Sequence, residues 1–271
     1  MMPDQWVLFL VIGLAAGVMS GLFGIGGGVI IVPALSVFAG LGTTEAVATS
    51  STALLLPVGI FAVIAYYRAG LLKPRASALV ALGLLLTSYI GSEIAISLPE
   101  RQLEQVYGLF LLYISWRFME PRKVLAEIQA GTFSFMTTIS GGASADEKPE
   151  LPEVHWSVIL LVGLVAGVAS GMFGIGGGAV IVPALVVLLK FDQKLAVGTS
   201  LGALLGPVGL PAVLNFADEG VLELEIGLLV AVGLLFGAIV GARIALGLPS
   251  KTIKRLYGVF LLFVALRFIL G

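Results

Sequence analysis

The stretch SGLFGIGGGVIIVPAL, Ser20 to Leu35, sets five glycines within the eight residues 21–28 ahead of a run of aliphatics. It recurs as SGMFGIGGGAVIVPAL, Ser170 to Leu185, identical at 13 of 16 positions. Glycine weakens a helix by about 1 kcal/mol relative to alanine. A doubled cluster in such apolar surroundings marks a place where the backbone has to turn or be approached closely.

Those surroundings extend over most of the chain. Of 271 residues, 59% are hydrophobic and only 11% charged, against about 25% charged in a soluble domain. The mean hydropathy is +1.11, and the charges gather between long apolar runs. This composition predicts an all-α polytopic membrane protein. A β-barrel would show alternating segments of roughly ten residues, which are missing. There is no cysteine, so thiol chemistry is excluded, and a net charge of -1 argues against a nucleic-acid partner. No cofactor is expected. The N-terminal MMPDQWVLFL has neither a basic n-region nor a small-residue cleavage site, so it is read as the start of the first membrane segment.

A shift of 150 residues aligns the chain with itself. Trp6 meets Trp156, Pro33 meets Pro183, Pro57 meets Pro207, Gly91 meets Gly241 and Tyr107 meets Tyr257. The expected organisation is a first transmembrane repeat over 1–120, a polar cytoplasmic linker over 121–155 and a second repeat over 156–271. Each repeat contains four apolar blocks, at about 6–39, 44–67, 76–98 and 104–119, then 156–189, 194–217, 226–248 and 254–270. The last three of each set suit single spanning helices. The first block, with 34 residues, would reach about 51 Å as one helix, well beyond a hydrocarbon core of about 30 Å. A hairpin broken at the glycines fits better. Pro57 and Pro207 are expected to kink or interrupt the second blocks.

Loop charges set the orientation. Arg68, Lys73 and Arg75 follow the second block of the first repeat, where the second repeat has Asp218, Glu219, Glu223 and Glu225. Glu100, Arg101 and Glu104 are answered by Lys251, Lys254 and Arg255. Under the positive-inside rule the repeats cross the bilayer in opposite senses, an architecture of secondary transporters. With Arg122, Lys123, Lys190 and Lys194 all inside, the first block of the second repeat crosses an even number of times. The rival arrangement is a single crossing with a linker that itself traverses near 128–145.

A turn inside the bilayer leaves backbone groups unpaired, tolerable only against protein or water. The helix arm beyond each turn, starting near Val29 or Ala179, presents first-turn N–H groups that attract anions. Close helix packing is the competing use of the same glycines. A nucleotide loop is disfavoured, because no lysine follows the cluster.

The paired S-G-x-F-G-I-G-G-G-x-x-x-V-P motifs resemble those of the sulfite exporter TauE/SafE family, and the resemblance covers essentially the whole chain. It implies transport of small sulfur-containing anions, sulfite or organosulfonates, generally outward across the bacterial inner membrane. Carried over by position, the implied substrate-binding residues are Phe23, Gly24, Gly26, Gly27 and Gly28, with Phe173, Gly174, Gly176, Gly177 and Gly178.

Thr49-Ser50-Ser51-Thr52 and Thr199-Ser200 are the polar patches of the second blocks, and from them Thr49, Ser50, Thr199 and Ser200 are added to the site, since hydroxyls suit oxyanions without a fixed charge that would trap them. Bonding to helix carbonyls is the other use of such residues. Thr87 and Ser88 face Gly237 and Ala238 in the alignment and would make the site asymmetric. Glu93, Arg243, Arg117 and Arg267 are read as interfacial, Asn215 as a cap and His155 as an interfacial residue. No paired acids or metal set stands at depth, so no enzyme activity is expected. The expected function is alternating-access export of a small anion, with the bilayer as surroundings and proton coupling and self-association left open. A passive anion channel, or a carrier of another small organic anion, is the alternative.

Overall fold

The computed structural model describes residues 3–119 and 155–270, and every regular element among them is helical. The expectations about the linker, Arg122 and Lys123 included, and about the Arg117 side chain lie outside the described residues. Copy one comprises α1 (Pro3–Phe23), α2 (Gly28–Ala34), α3 (Thr43–Ala53), α4 (Ile60–Arg68), α5 (Pro74–Ser97) and α6 (Glu100–Met119). Copy two comprises α7 (Trp156–Phe173), α8 (Gly178–Val187), α9 (Gln193–Ala203), α10 (Leu210–Asp218), α11 (Leu224–Gly247) and α12 (Ser250–Leu270).

The first block breaks at the glycines, between α1 and α2 and between α7 and α8. Beyond α2 the coil widens into one π turn, Leu35–Ala39, where α8 stays regular to Val187. The second block is not the single spanning helix its length suggests but two short ones, parted by 54–59 in copy one and by 204–209 in copy two, an interruption of the kind expected at Pro57 and Pro207. Pro57 and Pro207 stand in those unwound stretches. A proline supplies no N–H, and its ring clashes with the preceding turn, so the break is complete.

Among the described residues four helices are long and apolar enough to cross a membrane, over Gln5–Phe23, Pro74–Ser97, Trp156–Phe173 and Leu224–Gly247. Their outward faces are apolar. On α11, Leu228, Val232, Phe236 and Val240 recur every four residues and are all exposed. Water would penalise such a stripe, whereas lipid accommodates it. The protein is membrane-embedded.

Small residues let the long helices touch backbone to backbone. Gly13, Gly17 and Gly21 of α1 meet Val230, Leu234 and Ala238 of α11 in ascending order, so the two run parallel. Gly163, Gly167 and Gly171 of α7 likewise meet Val80, Leu84 and Ser88 of α5. A methyl group at any of these glycines would strike main chain of the other copy, and at Gly167 the Thr87 hydroxyl as well. Thr87 donates to the Leu164 carbonyl at 2.7 Å, which ties α5 to α7 rather than opening a site.

Helix ends sort by charge. Lys73 Nζ lies 4.9 Å from the Phe191 ring, and burial draws its pKa down. Lys194 Nζ reaches the Leu246 carbonyl at 3.5 Å. The start of α5, the start of α9 and the end of α11 therefore share one end of the molecule, with Arg68, Lys73, Arg75, Lys190 and Lys194. At the opposite end the Thr43 amide donates to Glu100 (3.1 Å) and its hydroxyl to Glu104 (2.9 Å). That end also holds the start of α11, preceded by Asp218, Glu219 and Glu223. Thus α5 and α11, equivalent in sequence, run in opposite directions, and so do their parallel partners α7 and α1. The final helices agree: Gly108 meets Ile269 while Ser115 donates to the Gly258 carbonyl, an antiparallel pairing.

Candidate functional site

Each turn is built from glycine because its backbone is left-handed. Gly24, Gly26 and Gly27 have φ of 74°, 81° and 94°, and Gly174, Gly176 and Gly177 have 64°, 69° and 81°. L side chains rarely adopt this region. Gly28 and Gly178 answer a different demand. A Cβ on Gly28 would collide with the Gly174 carbonyl, and one on Gly178 with the Gly24 carbonyl. The two turns are in contact.

Reciprocal hydrogen bonds fix that contact. Ser50 Oγ donates to the Gly174 carbonyl at 2.7 Å, and Ser200 Oγ donates to the Gly24 carbonyl at 2.8 Å. Both serines are fully buried. The bonds relieve carbonyls that the turn leaves without helical partners, where an unpaired buried acceptor would cost about 1–3 kcal/mol. Gly27 and Gly177 cap α2 and α8, with the side chains of Leu234 and Leu84 directly against them. A side chain placed there would report folding, not ligand contact.

Against the turn contact lies a small cavity of about 30 Å³. Both copies line it. Gly26 and Gly176 come from the turns, and Leu54, Val58, Leu204 and Val208 come from the two unwound stretches. Its polar side chains are Ser20, Ser51 and Ser170, which are 2%, 7% and 6% exposed. Among the described residues none of these three hydroxyls has a hydrogen-bond partner, and no lining side chain is charged. Ser20 and Ser170 occupy equivalent positions in the last turns of α1 and α7. Ser51 has no such twin, because Leu201 takes the matching place. The hydroxyls are therefore distributed asymmetrically over a lining that is otherwise paired except for Ala212.

The residues named from sequence divide sharply here. Of the fourteen, Gly26 and Gly176 line the cavity. Phe23 packs on Tyr257 at 5.2 Å, and Phe173 on Tyr107 at 4.6 Å, each against the final helix of the other copy. Thr199 Oγ1 accepts from the Lys73 amide at 3.2 Å. Thr49 is fully buried, and its hydroxyl makes no hydrogen bond among the described residues. Asn215 is not a cap: it is buried in α10 and donates to Ser92 Oγ at 3.0 Å. Ser88 donates to the Val208 carbonyl at 3.3 Å, which supports the unwound stretch of copy two. Of the cavity serines, Ser51 belongs to the polar patch Thr49–Thr52 but is not one of the fourteen, and neither are Ser20 and Ser170, although these two open the repeated motif itself.

Residues 8–268 match the family described as Sulfite exporter TauE/SafE. The chain is 26% identical over 272 residues to the probable membrane transporter protein YunE of Bacillus subtilis, spanning 98% of this chain and 97% of that protein. It is 26% identical over 260 residues to the probable membrane transporter protein MJ0441 of Methanocaldococcus jannaschii, covering 91% and 89% of the two chains. A probable membrane transporter protein of Haemophilus influenzae is 27% identical over 282 residues, with 97% and 98% covered. No solved structure matches.

Proposed function

We propose that this chain, which belongs to the sulfite exporter TauE/SafE family, is a secondary transporter that moves a small sulfur-containing anion outward across the bacterial inner membrane. The observation that carries the proposal is the cavity beside the paired turns, where both copies meet around three hydroxyls that lack internal partners. Hydroxyls of buried residues ordinarily find partners. A bound oxyanion would supply them.

In this reading the repeats 1–120 and 156–271 lie inverted in the bilayer, joined by a cytoplasmic linker. The basic ends at Arg68–Arg75 and Lys190–Lys194 face the cytoplasm, in keeping with the positive-inside rule. Alternating access follows from the unwound stretches 54–59 and 204–209, which approach the cavity from equivalent positions on the two copies. Leu54 and Val58 close one route, Leu204 and Val208 the other, and rocking of the copies opens them in turn.

Counterflow in proteoliposomes tests this. Unlabelled sulfite loaded inside should accelerate uptake of external radiolabelled sulfite several-fold and with saturation. Flux that is linear in concentration and indifferent to internal sulfite would identify a passive channel instead.

A further inference from the structure

We infer that the cavity takes its substrate as a protonated monoanion and rejects the dianion of the same oxyacid. The inference rests on the transport reading above and adds the charge state that the site selects. Three observations lead to it. The lining is made of leucine, valine, glycine, alanine and three serines, with no charged side chain. The three serines are more than nine-tenths buried as residues and line the cavity, and their hydroxyls make no hydrogen bond among the described residues. The space is small, so a bound anion sheds most of its hydration.

Moving an ion out of water becomes unfavourable as the square of its charge, so a dianion meets about four times the penalty of a monoanion. Nothing in the lining supplies the fixed positive charge that would offset the difference. Hydrogen bonding points the same way. A dianion presents acceptors only, whereas a protonated oxyanion also carries one O–H that needs an acceptor. A serine hydroxyl both donates and accepts, which an ammonium or guanidinium cannot do. The asymmetry of the set also fits. Ser20 and Ser170 form an equivalent pair of donors, and Ser51, opposite no serine counterpart, is the odd group whose Oγ can accept a hydrogen bond from the substrate O–H.

Sulfite is the probe, because it exchanges between monoanion and dianion near neutral pH. Initial flux is measured in proteoliposomes held at equal pH on both sides, with flux into protein-free vesicles subtracted. The KM in total sulfite should rise roughly tenfold per pH unit on the alkaline side of sulfite's own titration, with kcat unchanged. The KM reckoned in monoanion alone should stay constant. Sulfate, a dianion throughout this range, should fail to compete. A KM in total sulfite that is flat or falls as pH rises would overturn the inference while leaving the carrier in place, as would competition by sulfate equal to that of sulfite. Absence of sulfite flux at every pH would remove the transport reading, and this inference with it.

Discussion

Alanine at Gly28 or Gly178 is expected to destabilise the protein by about 3 kcal/mol, the upper range for overpacking. The added methyl of Gly28→Ala meets the Gly174 carbonyl and comes within 2.6 Å of Ile175 Cα, and that of Gly178→Ala meets the Gly24 carbonyl and comes within 2.6 Å of Ile25 Cα. The obstacles are backbone atoms, and the Ser50 and Ser200 hydrogen bonds pin the carbonyls in place. Neither neighbour can swing aside as a side-chain tip would. Gly40→Ala is the control: Gly40 also has positive φ, at 71°, but a Cβ there has no atom within 4 Å. It should lose stability only through the left-handed strain it introduces, about 1–2 kcal/mol. Thermal unfolding of the three variants in detergent reads the difference. Equal melting temperatures for Gly28→Ala and Gly40→Ala would show that the two turns do not press against each other.

The serines should behave in the opposite manner. Ser20→Ala, Ser51→Ala and Ser170→Ala remove hydroxyls that bond to no described residue, so they strand no internal partner and should leave the melting temperature near that of the parent. Their effect belongs to the substrate. A hydrogen bond to a charged group contributes about 1.5–3 kcal/mol, so each change should lower flux at sub-saturating sulfite by roughly ten- to a hundredfold. The triple variant should show no flux above protein-free vesicles while still folding. A triple variant that transports like the parent would remove the cavity from the mechanism. Ser50→Ala is a useful contrast, since its loss should lower stability by freeing the Gly174 carbonyl.

Much of this architecture can be read from the amino-acid order, because the repeat is gapless and its loop charges alternate in sign. The break at Gly24–Gly27 follows from length and glycine alone. Other features need the third dimension. Gly13, Gly17 and Gly21 are spaced for close packing, but nothing in the sequence says that their partner is α11 of the other copy. The polar patch Thr49–Thr52 stands out as a candidate ligand set, yet a helix displays successive residues on different faces. Ser50 turns toward the opposite turn, Ser51 toward the cavity, and Thr52 back to the Ala48 carbonyl at 3.0 Å. Choosing among adjacent hydroxyls takes helix phase, which one short patch does not supply. Phe23 and Phe173, conspicuous in the motif, serve as aromatic anchors on the final helices.

All of this rests on two like halves lying oppositely in the bilayer with their turns together. The chain has no cysteine of its own, so single cysteines can be placed at the equivalent exposed positions Ala69 and Glu219 and labelled in intact cells with a membrane-impermeant maleimide. Glu219→Cys, in the acidic loop, should react from outside; Ala69→Cys, beside Arg68, should react only after permeabilisation. Labelling of both from the same side would contradict the account.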